Sequence, residues 1–157
     1  MRFVSTVIML SAMVLTPVAY AIPNMWTSGF GMGVSEYIIT SKNNTVVNLT
    51  CTTNPDDDAV LQHRLYLTLP DGTMLDSGDE KTAITLVTGD VAYPIPASLG
   101  WRNGDNAWVD FIHAIRQATE FDVYVNDKKI GHFQPSRKNT QKELGDLADC
   151  LKINDEG

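Results

Sequence analysis

Cysteine is scarce in this chain: there are two among 157 residues, Cys51 and Cys150. Their separation rules out a C-x-x-C dithiol or metal-knuckle motif. No cysteine stands just after the N-terminal apolar run, the first being Cys51, which argues against a lipid anchor at that end. No H-E-x-x-H occurs, so no helix carries the two histidines of a zinc hydrolase on one face. No G-x-S-x-G occurs either. The nearest fragment, Gly33-Val34-Ser35-Glu36, lacks the second glycine that a nucleophile elbow needs. The alternating glycines of Gly29-Phe30-Gly31-Met32-Gly33 precede a strand instead of following one, which removes the context of a dinucleotide-binding loop. Repeats, low-complexity tracts and linkers are absent, and so is a second apolar run long enough to span a bilayer. Basic residues are in deficit, 12 against 19 acidic, for a net charge of −7. A surplus of negative charge disfavours nucleic acid and anionic membranes as partners.

What is present starts with an export signal. Met1-Arg2 forms a short positive segment, Phe3 to Leu15 is uncharged and apolar, Pro17 stops any helix, and Ala19-Tyr20-Ala21 has the form of an A-x-A cleavage site. Cleavage after Ala21 divides the chain into a signal peptide, residues 1–21, and a single domain, residues 22–157. Removal of these 21 residues takes one basic residue and no acid. It leaves 136 residues with 11 basic and 19 acidic side chains, a net charge of −8. That length suits one domain with one core. In the oxidising compartment beyond the inner membrane, Cys51 and Cys150 have only each other to pair with, so a disulfide is expected.

The remaining pattern is mainly β. Ile22 to Gly33 reads as an extended, glycine-rich segment with Trp26, Phe30 and Met32 exposed, either as an edge strand or as an apolar patch. Val34 to Thr40 is a strand, Ser41 to Asn44 a turn, and Thr45 to Thr53 a strand whose apolar face carries Val47, Leu49 and Cys51. Leu61 to Leu69 alternates in the same way. Pro70-Asp71-Gly72-Thr73 is a hairpin turn leading into Met74-Leu75. Ala83 to Val87 and Val91 to Ile95 are further strands, the second marked as an edge by Pro94 and Pro96. After a loop at Trp101 to Asp105, Asn106 to Ala118 places Trp108, Phe111, Ile112, Ile115 and Ala118 at helical spacing. A hairpin follows, Phe121 to Val125 and Ile130 to Phe133 around Asn126-Asp127. Pro135-Ser136 opens a last helix, with Thr140 and Glu143 in a capping-box pattern and a stripe of Leu144, Leu147, Ala148 and Leu151. The fold expected is α+β, mainly β: an antiparallel sheet or sandwich with two helices in the C-terminal third and one disulfide.

The chemistry-bearing residues are dispersed along the chain. His63 lies on a strand, His113 on a helix and His132 on a hairpin, so a metal site would have to be assembled from three elements. The acidic runs Asp56-Asp57-Asp58 and Asp71, Asp76, Asp79, Glu80 could in principle supply a carboxylate pair or calcium ligands. They do not follow the EF-hand pattern, and they read more simply as solvated loops. No cofactor is implied. Two surfaces suggest a partner. One is the loop with Trp101 and Arg102, residue types enriched at binding hot spots. The other is a basic cluster, Lys128, Lys129, His132, Arg137, Lys138 and Lys142, in an otherwise acidic chain.

An export signal, a β-rich body, a Trp108–Ala118 helix, the Phe121-Asp122-Val123-Tyr124-Val125-Asn126 hairpin, and Phe133-x-Pro135-Ser136 leading to a helix that ends Leu147-Ala148-Asp149-Cys150 follow one another in order. Over its last third this arrangement resembles small exported proteins of Gram-negative bacteria of the invasion-associated locus B type. The resemblance implies an envelope or host-facing role and brings no catalytic residues with it. The expected function is that of a non-catalytic, periplasmic or secreted binding protein. An inhibitor or immunity-type protein acting on a cell-wall enzyme or toxin is the leading form. A host-interaction factor and an enzyme with a scattered carboxylate site are the alternatives.

Overall fold

The computed structural model describes residues 21–55 and 57–154. Residues 1–20, where the export signal is expected, Asp56 of the acidic loop, and residues 155–157 lie outside the described residues. Among the described residues, nine strands form two antiparallel sheets. The first is a meander of β1 (Thr27–Gly31), β2 (Val34–Thr40), β3 (Val46–Thr52), β4 (Arg64–Thr68) and β5 (Met74–Asp76), in that spatial order. The second runs β7 (Val91–Pro94), β6 (Ile84–Thr88), β8 (Phe121–Val125), β9 (Lys128–Phe133). Helix α1 (Arg102–Ile115) lies in the connection from β7 to β8, and α2 (Arg137–Leu144) and α3 (Ala148–Leu151) follow β9.

Alternation puts one face of each sheet in a shared core. Ile39, Val47, Leu49, Cys51, Leu65 and Leu67 come from the first sheet, and Ile84, Leu86, Phe121, Val123 and Phe133 from the second. α1 closes the core with Trp108, Phe111, Ile112 and Ile115, spaced to fall on one helical stripe. Phe121 stacks on Phe133 at 4.7 Å between ring centroids and on Trp26 at 6.1 Å. Trp26 is therefore buried, contrary to the exposure expected for it. The sequence pattern misses this because the residue precedes the strand, where no alternation marks an inward face. Asn139 of α2 holds it there: Trp26 N donates to Asn139 Oδ1 at 2.6 Å, and Asn139 Nδ2 donates to Trp26 O at 3.0 Å.

The two sheets are also stitched through an irregularity. The β8–β9 register shifts between Val123/Tyr124, leaving Ile130 as an extra residue in β9. Its carbonyl accepts from Thr45 Oγ1 at 2.9 Å and Asn43 Nδ2 at 3.1 Å, at the β2–β3 turn of the other sheet.

Cys51 on the core face of β3 is bonded to Cys150 of α3, with a Cα–Cα distance of 5.0 Å. The segment after α3 is held by further bonds. The Trp108 indole donates to Cys150 O at 2.8 Å, and Leu61 N donates to Ile153 O at 2.7 Å. His63 is buried here, stacked on Trp108. Its Nδ1 accepts from Thr52 N at 3.2 Å, which leaves the proton on Nε2 to be donated to Lys152 O. Burial pushes the His63 pKa down from its ordinary value of 6.5, which favours the neutral ring.

Several boundaries differ from the sequence expectation. Trp101 to Asp105 is not a loop, because α1 begins at Arg102 with Trp101 as its N-cap. Asn, Gly and Asp are weak helix formers, but local bonds hold the turn. Asp105 N donates to Trp101 O at 2.9 Å, and Gly100 N donates to Asp105 Oδ1 at 2.8 Å. The last helix is in two pieces, since Gly145 (φ 55°) ends α2 and Leu147 adopts a left-handed φ of 51°. This break buries both Leu144 and Leu147 and turns Cys150 toward β3. Thr140 and Glu143 form no capping box. Ser136 caps α2 by accepting from Asn139 N at 3.2 Å, while Thr140 is buried and donates to Ala118 O at 3.4 Å.

Candidate functional site

Helix α1 ends in a turn that passes from α to 3₁₀ bonding. Arg116 N reaches back to Ile112 O at 3.3 Å, Gln117 N to Ala114 O at 3.2 Å and Ala118 N to Ile115 O at 3.2 Å. The chain then turns into β8, and α2 packs alongside. Arg137, Thr140 and Gln141 share one face of α2 because they stand at i, i+3 and i+4. Between these two helix ends lies a cavity of about 330 Å³ lined by Arg116, Gln117, Arg137, Thr140, Gln141 and Gly145. Two guanidinium groups and two carboxamides line it, with no carboxylate among the lining residues. Arg116 is half-buried, and its Nη1 donates to Asp146 O at 3.5 Å, which holds the side chain near the end of α2. Neither arginine takes part in an ion pair among the described residues. Planar, permanently charged forks of this kind suit a carboxylate or another oxyanion.

The basic cluster seen in the sequence is divided by the structure. Lys129 Nζ lies 2.9 Å from Asp122 Oδ1, and His132 Nδ1 lies 2.6 Å from the same oxygen, with Glu120 at 3.6 Å from Nε2. Burial works to raise the Asp122 carboxyl, but the hydrogen bonds and charges of Lys129 and His132 outweigh it and hold the group below the ordinary carboxylate range. Lys142 pairs with Glu143 at 2.8 Å. Lys128 sits exposed at the start of β9, and Lys138 is exposed on α2. Only Arg137 of the cluster lines the cavity, and Arg116 joins it there. Sequence reading missed Arg116 because it lies outside the basic run. The available signal was its place directly after the apolar stripe of α1, where a cation complements the helix C-terminus.

Trp101 and Arg102 stand at the opposite end of α1. With 14 residues in the helix, the two ends lie about 20 Å apart. They do not share a patch with the cavity. Trp101 is 51% exposed but not free, since its indole donates to Ser98 O at 3.0 Å and lies over Gly104. A Cβ added at Gly104 would stand 2.5 Å from the indole nitrogen.

The three histidines do not converge on one another. His113 is exposed on α1, His132 on β9, and His63 is buried against Trp108. No group of three or more His, Cys, Asp or Glu side chains placed to hold a metal occurs among the described residues. The hairpin carboxylates are engaged with their own backbone. Asp71 accepts from Thr73 N at 2.9 Å, Asp76 from Gly78 N at 2.7 Å and Asp79 from Lys81 N at 3.0 Å. Among the described residues, no helix is long and apolar enough to cross a membrane.

Two antiparallel sheets on one core, a C-terminal third rich in helix, and a disulfide from a central strand to the last helix define a small disulfide-closed α+β protein that is mainly β. The chain belongs to the YfjT family, whose model matches residues 24–144. That span includes both arginines of the cavity and ends before Cys150. The chain is 44% identical over 149 residues to the uncharacterized protein YfjT of Escherichia coli (strain K12), covering 95% of this chain and 96% of that one. It is 50% identical over 132 residues to the uncharacterized protein YkfB of the same strain, covering 84% of this chain and 85% of that one. No solved structure matches significantly.

Proposed function

We propose that this protein is an exported, non-catalytic binding protein of inhibitor or immunity type, acting on a cell-wall enzyme or a toxin. It does so by seating an acidic group of that partner between Arg116 and Arg137. The observation that carries the reading is the cavity itself: two arginines and no carboxylate line a concave site on a chain of net charge −7. An acidic protein that keeps two cations unpaired in a recess is organised to receive an anion there. The export signal and the disulfide support action outside the cytoplasm. The dispersal of the histidines and the local engagement of the hairpin carboxylates support binding over catalysis.

The test uses the exported protein recovered from the periplasm or medium. Wild type should retain a stoichiometric protein partner from envelope fractions or candidate toxins. Charge-assisted hydrogen bonds contribute about 1.5–3 kcal/mol each. Arg137→Gln should therefore weaken the complex by roughly tenfold or more, and Arg116→Glu combined with Arg137→Glu should abolish it. Unchanged affinity in the double variant, with an unaltered melting curve, refutes the cavity as the binding site.

A further inference from the structure

We propose that β1 is the interface of a symmetric dimer, in which a second copy of this chain adds its own β1 antiparallel to the first. The two-residue turn Met32-Gly33, with φ of 54° and 77°, makes the β1–β2 hairpin of the type whose flanking pair, here Gly31↔Val34, is hydrogen-bonded. Antiparallel pairs alternate, so Phe30↔Ser35 and Ser28↔Tyr37 are the pairs that do not exchange backbone bonds. The N–H and C=O of Ser28 and Phe30 consequently point away from β2, to the open edge of the sheet. Among the described residues no backbone group bonds to them.

This edge differs from the other three. β5 is only three residues long, β7 contains Pro94, and β9 carries Lys128, Lys129 and a bulge. Short length, proline, lysine and bulges are the usual guards against edge-to-edge pairing. β1, Thr-Ser-Gly-Phe-Gly, has none of them, and all five of its residues are exposed. Its Phe30 is 72% exposed, and Met32 just beyond its end is 97% exposed.

The strand is complementary to itself. With a twofold axis at Gly29, Ser28 of each copy faces Phe30 of the other. Both pairs then exchange their outward N–H and C=O groups, giving four backbone bonds. Between them falls the non-hydrogen-bonded pair, the closest approach in an antiparallel ladder at about 4.5 Å between Cα atoms. That position is glycine in both copies, and nothing stands within 4 Å of where its Cβ would be. β1 itself carries no charged residue; the acids beside it are Glu36, opposite Gly29 on β2, and Glu143 of α2, which accepts from Ser28 Oγ at 2.8 Å and is paired with Lys142. Two five-stranded sheets would then run on as one.

Sedimentation equilibrium of the purified, disulfide-bonded protein tests this over micromolar to submillimolar concentrations, where an interface of this modest size should associate. Wild type is expected to pass from monomer to dimer. Gly29→Glu places like charges at the axis, beside the Glu36 that stands opposite it on β2, and Phe30→Pro removes an outward N–H that β2 does not use. Both are expected to stay monomeric with unchanged circular dichroism. If Phe30→Pro does not fold, Gly29→Glu alone decides. Monomeric wild type throughout, or a dimer that persists in Gly29→Glu, overturns the proposal.

Discussion

Replacing Cys51 and Cys150 together by alanine tests the central architectural claim, that one covalent link restrains nearly two thirds of the chain in its unfolded state. The bond spans a sequence separation of 99. For a loop of about 100 residues, the chain-entropy relation gives about 4.7 kcal/mol at 25 °C. The native contacts around Cys150 do not depend on the bond. Trp108 still donates to Cys150 O, and Leu61 N still donates to Ile153 O. The double variant should therefore keep its fold and lose stability chiefly through a freer unfolded chain, with a smaller further loss from two sulfurs removed from fully buried positions. Against a typical stability of about 5–15 kcal/mol, such a loss leaves a marginal protein. In urea, with a slope near 2 kcal/mol/M, the midpoint should fall by about 2 M. Circular dichroism and tryptophan emission should report the same transition. A midpoint shift under about 0.5 M, or two free thiols in the purified wild-type protein, would refute the reasoning.

The neutral state of His63 makes stability depend on pH. Because its folded-state pKa lies below the ordinary 6.5, the unfolded chain takes up a proton first as pH falls. Its contribution is complete above about 6.5 and is lost progressively below it, levelling off once the folded pKa is passed. Urea midpoints measured from pH 8 to 5 should show this decline, and His63→Gln should remove it; an identical decline in the variant would exclude His63 as its origin. Gly104→Ala brings a methyl group to within 2.5 Å of the Trp101 indole nitrogen and 2.8 Å of Ser98 O. Overpacking of about 1–3 kcal/mol should exceed the gain of about 1 kcal/mol in helix propensity. A net loss with red-shifted emission is the expected result of a urea melt followed by fluorescence, and a more stable variant would contradict it.

Strict alternation in β3 and β4, the Pro70–Thr73 turn, the proline-marked edge at β7 and the apolar stripe of α1 were all legible along the chain. In each case the signal is local, because side-chain periodicity and turn chemistry act over a few residues. The Cys51–Cys150 pairing was legible for a different reason: with two cysteines there is one combination. The candidate site was legible only in part. Arg137 stood out in a basic run, but the run does not act as one surface, because Asp122 and Glu120 pair with Lys129 and His132, Glu143 pairs with Lys142, and Lys128 and Lys138 stand apart on β9 and α2. No linear pattern shows which acid will face which base across a sheet.

By itself, then, the order of residues determined the composition of the elements, their inward faces and the covalent closure. Tertiary structure alone decided where elements end and what they enclose. It broke the last helix at Gly145 and Leu147, and with that break Leu144, Leu147 and Cys150 are all buried. It buried Trp26 through Asn139, a residue more than a hundred positions away. It also brought Arg116 to Arg137, since a cavity between two helix ends exists only once the helices are packed.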